Sequence, residues 1–597
     1  MRIMDKVSLN RNKLLISFLT IVILLGIVFC FPTNYYILKF LFGIIFLGCI
    51  IFILYYSLDL DTKSFTEFVN KNKNIFYLLL ISIAIFIPLL TENFYFQDEY
   101  WAYPGYINNY LDVGLGRIFQ SLLAIMFSFV TPKNIFITRW FMYFCMLITS
   151  ILIYKWILIH SKNTLFSFCT TAICFYTSIM VDCTAYSAII SYMFAIMTCA
   201  CSVVVLENKK NLSNYVLSTL LIVVTFHSYQ LAITFSVFMF MIKIWYSKNK
   251  LELVKSIIKY IICVILGAII YLITLKLFAN NEINQRSSVI NSFPEIISKM
   301  KWFFKVVYPA AIDRIIAIPT GRALFINKNY WYFMAYKNDS GLLHVLLIVA
   351  NALPIIAVII IKLRNKEFIK CVYIILSIPC SYIIYLLLKE NGYLTYYAYP
   401  LIILLLFYYC IMFSELCKKL NKNFKYAILT LVMLICFIQS NVYLRQAWVQ
   451  ENNVSYQYIK DEIITKIDKS NKIHVYGVPN YVGMANIYSK FAVELALRDL
   501  NYNPSDYEIT VSDTPYSIGV IEGADFQTAI AKLNIDDQMI LESYYYFDKT
   551  YNQYHLNVDP NSNKEILKSI LTKSGLLPDD NSNIITIDLS WVKNNWD

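Results

Sequence analysis

The sequence predicts a polytopic α-helical membrane protein of about 13 transmembrane helices with a small extracytoplasmic α/β C-terminal domain. Three observations lead there. Of 597 residues, 58% are hydrophobic and only 15% charged, with a mean hydropathy of +0.56, far from ordinary soluble composition. Apolar runs of bilayer length recur from Leu14 to about residue 441, and the short loops between them carry their lysines on one side, as cytoplasmic loops do.

The elements follow in order. Arg2, Lys6, Arg11 and Lys13 precede an apolar run from Leu14 to Phe31 that lacks a small-residue cleavage site, so it reads as an uncleaved span with its N-terminus inside. Further runs lie at 36–57, 75–91, 135–158, 165–182, 189–206, 214–228, 231–246, 255–278, 342–362, 370–388, 400–416 and 426–441. Two of them, 214–228 and 231–246, are shorter than the roughly 20 residues a perpendicular helix needs, which anticipates broken helices. The stretch from Ile118 to Val130 is shorter again and reads as a helix lying at the outer surface.

Starting inside, the cytoplasmic face receives the loops with Lys71 and Lys73, His160 and Lys162, Lys209 and Lys210, Lys248 and Lys250, Lys362 to Lys370, and Lys418 to Lys425. The opposite face receives segments 92–134 and 279–341, the turns near Asp182 and His227, the turn 389–399, and everything after about residue 442. The net charge of +12, which in a soluble protein would suggest nucleic acid, is here mostly topology, and no nucleic-acid partner is expected.

From about Arg445 the composition turns polar. Helical patterns at Tyr456–Ile467 and Phe526–Leu533 alternate with strand-like runs at Ile473–Val478, Tyr507–Val511 and Ile584–Leu589. Residues 442–597 thus read as an α/β domain, and 1–441 as the multispanning part with outer loops 92–134 and 279–341. The tail holds 13 basic and 21 acidic residues, which leaves the membrane part about +20. The 14 cysteines all lie between Cys30 and Cys436, so the tail has no possible disulfide. In apolar surroundings they read as small hydrophobes with no metal-ligand spacing, and neither a metal nor another cofactor is expected.

Chemistry is to be sought on the outer face. Asp98 and Glu99 stand together among aromatic residues soon after a span. A carboxylate with reduced solvation becomes a stronger base; the alternative is a pair that simply avoids the membrane. Gly116-Arg117 precedes a helical stretch, where a helix N-terminus favours an anion, although an arginine there can equally anchor lipid head groups. Arg286 opens an outer segment with Lys299, Lys301, Lys305, Arg314 and Arg322, a basic cluster that suits a lipid phosphate or head-group contact by an amphipathic segment from Trp302 to Ile316, kinked at Pro309. His227-Ser228-Tyr229-Gln230 puts four polar side chains at the end of a hairpin, where a substrate hydroxyl can bind or a structural histidine can sit.

The order of these motifs, an acidic pair after an early span, Gly116-Arg117 about 18 residues later, and Tyr229-Gln230 further on, resembles the glucosyltransferase-II family. These are phage-type O-antigen glucosyltransferases of the GT-C superfamily, and the likeness covers about residues 75 to 440. The resemblance implies a GT-C-like fold and transfer of a hexose from a polyprenyl-phosphate sugar donor to a cell-surface glycan acceptor outside the bilayer. Asp98 matches the first acid of the family's loop motif; the second is commonly Asp and is here Glu99. In the implied reaction Asp98 or Glu99 serves as base in a single inverting displacement, Arg117 and Arg286 meet the departing phosphate, and Tyr229 and Gln230 bind substrate. The competing readings are a lipid-linked sugar flippase and an outer-face glycan polymerase or ligase. A flippase would place ionisable groups in midmembrane, whereas here they are rare at the span centres and gather at the outer face.

Overall fold

The computed structural model describes residues 36–59, 64–91, 135–177, 191–208, 212–278, 292–308, 341–388, 398–416, 451–467, 470–476, 487–511, 520–548, 553–556, 564–576 and 585–588. Also described are positions 117, 119, 123, 180, 183, 184, 290, 311, 421, 430, 431, 434, 437, 438, 440, 441 and 444.

The chain is mostly helical. Four of the described helices are long and apolar enough to cross a membrane: Phe65–Thr91, Thr138–Ser161, Leu251–Thr274 and Tyr399–Leu416. In chain order the helices are α1 (Tyr36–Ser57), α2 (Phe65–Thr91), α3 (Ile135–Ser161), α4 (Thr164–Phe175), α5 (Ser191–Asn208) and α6 (Leu212–Ser228). A 3₁₀ turn (Gln230–Thr234) leads into α7 (Phe235–Tyr246), then α8 (Lys250–Phe278) and α9 (Phe293–Trp302). After them come α10 (Gly341–Arg364), α11 (Phe368–Cys380), α12 (Ile383–Leu387) and α13 (Tyr399–Leu416).

Helices thus stand at the expected runs from 36 to 416, with informative differences. The run 165–182 ends its helix at Phe175. Run 231–246 is the 3₁₀ turn joined to α7, and nearly all of it is buried. A short, broken segment is tolerable there because protein, not lipid, surrounds its backbone. Run 370–388 breaks at Ser381-Tyr382, just after Pro379, whose ring removes one helical hydrogen bond. The amphipathic segment expected from Trp302 begins earlier, at Phe293 with Pro294 in the first turn, and continues past Trp302 as a π-turn over Phe303–Val307. Lys299 of the expected basic cluster is buried, 4.8 Å above the Trp302 ring. The run 14–31 and Pro309 lie outside the described residues. Of the surface stretch after Ile118, Phe119 and Leu123 are helical, and Leu123 is fully buried in the helical core.

At the centre is α5, buried on every side from Ser191 to Leu206. It is apolar all round with small Ala, Ser, Thr and Cys residues that let neighbours approach, the composition of an interior membrane helix. Its hydroxyls are satisfied across helices: Thr198 meets Thr225 at 2.8 Å, and Ser202 meets the Tyr260 hydroxyl at 3.3 Å. By contrast α8 turns Ile258, Ile261, Ile262, Ile265, Leu266 and Ile269 outward. Its inner face touches α6 closely at Gly267, where a Cβ would stand 2.6 Å from Ile222 Cγ2.

Contacts along the helices sort the bundle into two ends. Asn74 Nδ2 donates to the Tyr154 hydroxyl at 3.0 Å and the Ser82 hydroxyl to that of Tyr143 at 3.2 Å, so α2 and α3 are antiparallel. Phe141 and Phe194 rings lie 6.2 Å apart, and Ser191 Oγ donates to Ser228 O at 2.8 Å. The finish of α2 and the start of α3 therefore share an end with the start of α5 and the finish of α6. Asn441 Nδ2 also donates to Ala84 O at 3.1 Å, near the finish of α2.

Lysines collect at the other end. Lys243 binds Glu207 and donates to Ser256 Oγ at 2.7 Å. Lys362 and Lys370, both buried, reach Glu367 at 2.9 and 2.6 Å. They also donate to the carbonyls that close α7, Lys362 to Trp245 O at 3.0 Å and Lys370 to Ser247 O at 2.5 Å, as cations at a helix C-terminus should. Burial alone would push the Glu367 carboxyl up, but Lys370 and Lys362 outweigh it and hold it below the ordinary carboxylate value. A carboxyl whose folded value is depressed adds stability above its unfolded value and loses it as pH falls through the folded one. Acidification below about pH 4 should therefore lower the melting temperature of wild type more than that of Glu367→Gln. Equal acid sensitivity of the two proteins in a pH-resolved melt would remove this node from the stability of the bundle.

Beyond the bundle, α14 (Glu451–Lys466), β1 (Lys472–Tyr476), α15 (Ile487–Asp499), β2 (Glu508–Val511) and β3 (Val520–Glu522) are followed by α16 (Gly523–Ile530) and α17 (Ile535–Tyr544). Then come β4 (Tyr545–Asp548), β5 (Gln553–Leu556), α18 (Lys564–Ser574) and β6 (Ile585–Asp588). The three expected strands are β1, β2 and β6, joined in parallel in the order β2-β1-β6. Their period-2 pattern turns Ile473, Val475, Ile585 and Ile587 onto a core with Ile459, Ile463, Val493 and Leu497. A second, antiparallel sheet β3-β5-β4 was not expected, because its strands of three or four residues are too short for an alternation to stand out. That sheet shares a core with α16–α18, and Phe526 stacks on Tyr554 at 3.8 Å.

Candidate functional site

At the first of the two bundle ends, α6 closes with the N–H of Tyr229 on Thr225 O at 2.8 Å. Tyr229 itself is extended, φ −159° and ψ 106°, and its carbonyl accepts from Ala232 N at 3.0 Å to open the 3₁₀ turn. One residue thus ends one helix and begins another, and its ring turns inward, fully buried, edge-on to Tyr192 at 5.0 Å.

Arg117 lies against this junction. Its guanidinium carbon is 4.1 Å from the centre of the Tyr229 ring, and its Nε donates to Gln230 Oε1 at 3.3 Å. Gln230 Nε2 in turn donates to the Tyr271 hydroxyl at 2.9 Å. The cation is held at its face by a ring quadrupole and at one edge by a neutral amide. It also lies beside the C-terminal end of α6, whose dipole favours positive charge.

Behind this layer, His227 Nε2 is 2.6 Å from Thr274 Oγ1, and the Thr274 hydroxyl has Tyr271 O at 2.8 Å to donate to. Either atom can donate in the His227–Thr274 contact, since an imidazole nitrogen and a hydroxyl both give and accept. The His227 ring meets Tyr271 edge-on at 4.8 Å, and Phe119 closes over it at 6.2 Å.

Of the residues expected from sequence, Arg117, Tyr229 and Gln230 therefore come together across 113 positions of chain. Asp98, Glu99 and Arg286 lie outside the described residues. Tyr229 and Gln230, expected to bind substrate, both touch Arg117: one is its seat and the other its edge support. The sequence reading passed over Tyr271 and Thr274, although a signal existed. They stand one turn apart on a helix otherwise rich in Ile and Leu, hence on one face.

The chain matches no protein-family model and no curated protein. The short motifs and the geometry around Arg117 stand by themselves.

Proposed function

We propose that the chain is an integral membrane glycosyltransferase of the cell membrane. It transfers a hexose, glucose by resemblance, from a polyprenyl-phosphate donor to an extracytoplasmic cell-surface glycan. The observation that carries the proposal is the seating of Arg117 on Tyr229 and Gln230 at the bundle end where α2 finishes, since Thr91 closes α2 seven residues before Asp98. A cation preorganised there suits a phosphate that gains charge as it departs.

In the proposed reaction Asp98 takes the proton of an acceptor hydroxyl, whose oxygen attacks the anomeric carbon. The bond from that carbon to the phosphate oxygen breaks with inversion, and the lipid phosphate leaves with the electron pair, met by Arg117 and Arg286. No covalent enzyme intermediate is required. The lysine-rich end of the bundle is taken as cytoplasmic and the Arg117 end as outer. Asn441, beside Ala84 and Ile85 of α2, then sends residues 442–597 outward as an extracytoplasmic part. Among the described residues of the bundle, buried charges such as Arg139, Lys243, Lys362 and Lys370 sit near helix ends, which favours surface chemistry over a flippase path.

Purified protein with undecaprenyl-phosphate glucose and an extracted cell-surface glycan should form labelled glycan and free lipid phosphate. A chain that binds the donor and never releases sugar would overturn the transfer reading. For topology, single cysteines at residues 98 and 505 in a background without other thiols should both react with an impermeant maleimide from outside the cell. Labelling of residue 98 from the cytoplasmic side alone would invert the assignment.

A further inference from the structure

The Arg117 seat continues one layer deeper, into groups that take no part in the proposed reaction. Gln230 is an amide with two unlike ends. Its oxygen faces Arg117 Nε–H, and its NH₂ faces the Tyr271 hydroxyl. Tyr271 is itself clamped, edge-on to His227 at 4.8 Å and tilted on Phe226 at 5.5 Å, both from α6. His227 is fixed in turn by Thr274, one turn beyond Tyr271 on α8. The loop of contacts α8, α6, 3₁₀ turn, α8 closes on itself. Its outlet toward Arg117 is the Gln230 oxygen.

We infer that Tyr271 is a positioning residue for donor binding: backed by His227 and Thr274, it holds the Gln230 amide and through it the attitude of the Arg117 guanidinium toward the donor's phosphate. The inference rests on the transfer reading above for the identity of that phosphate, a lipid-borne monoester or diester. Without the Tyr271 hydroxyl, the Gln230 NH₂ loses that hydrogen bond and the side chain is held less firmly, so Arg117 Nε has a less fixed acceptor. The ring packing on His227 and Phe226 survives in Tyr271→Phe, which separates the hydrogen bond from the fold.

The test uses the full chain in detergent, with undecaprenyl-phosphate glucose for turnover and undecaprenyl phosphate alone for binding. Tyr271→Phe should raise the Kd for the probe about 10-fold and lower donor kcat/KM by a similar factor. In an Arg117→Ala background the same substitution should change Kd less than about twofold, because a residue that acts through Arg117 has nothing left to position. A full-sized effect of Tyr271→Phe in that background, or an unchanged Kd for the probe in the single variant, overturns the positioning role. Ile269→Val, on the outward face of the same helix, should leave every parameter as in wild type, and a matching loss there would assign the effect to helix packing instead. A wild type that binds the probe without turnover defeats the transfer reading and leaves the binding cycle to decide the role of Tyr271. One that neither binds nor turns over defeats both.

Discussion

Asp98→Asn is expected to lower hexose transfer about 100-fold or more while donor binding is largely kept, the signature of losing a general base and not a binding group. Asparagine matches aspartate in size, so the loop keeps its volume while the proton acceptor is removed. The donor side of the reaction needs no acid, because a lipid phosphate leaves as a stable anion. The burden of proton transfer therefore falls on the acceptor hydroxyl alone. Glu99→Gln should be milder, since the resemblance places the family's first acid at Asp98. Steady-state turnover at saturating donor, paired with a donor-binding measurement, checks both. Near-normal turnover in Asp98→Asn with an inactive Glu99→Gln would exchange their roles, and full activity in both would remove general-base catalysis by this loop.

The helices were legible because a bilayer imposes one demand on each of them, a long apolar run, and runs such as 36–57 and 400–416 reappear almost residue for residue as α1 and α13. Hydropathy says nothing about which apolar face meets protein and which meets lipid. Thus α5 and α8 are both apolar, yet one is buried throughout from Ser191 to Leu206 and the other exposes a row of isoleucines. What distinguishes them is side-chain size, small residues in α5 against Ile and Leu in α8, a signal about packing and not about hydropathy. The parallel strands of the tail were legible from alternation, and the 3- and 4-residue strands were not.

The site was legible in part for a similar reason. Polar residues at span ends, such as Tyr229 and Gln230, stand out against apolar neighbours, and so does Arg117 after a glycine. Their roles did not follow from that contrast, because a role depends on what a side chain touches. Tyr229, expected to bind substrate, is buried beneath Arg117, a contact no local pattern announces. His227, which suggested a hydroxyl-binding or structural histidine, is engaged behind the site with Thr274. Pairing across 113 residues of chain is tertiary information, which no local pattern carries.

Arg117→Lys separates the two readings of that cation most sharply, because it keeps the charge and changes only the geometry. A lipid head-group anchor needs a positive tip on a flexible stem, and lysine supplies one. A phosphate clamp needs a planar fork that grips two oxygens, and lysine has none. Here the substitution also removes the Nε–H that donates to Gln230 Oε1 at 3.3 Å, leaving that amide oxygen without the guanidinium. A lysine ammonium can still approach the Tyr229 ring, so the fold and the local charge should survive. Losing one charge-assisted hydrogen bond costs about 1.5–3 kcal/mol, so donor kcat/KM should fall about 10- to 100-fold. The loss should appear in both kcat and donor affinity, because the cation meets the phosphate in the bound donor and more strongly as it departs, with expression and melting temperature as in wild type. Unaltered affinity of Arg117→Lys for undecaprenyl phosphate in detergent, where no bilayer remains to be anchored to, would return Arg117 to the head-group role and take the cation out of the proposed chemistry.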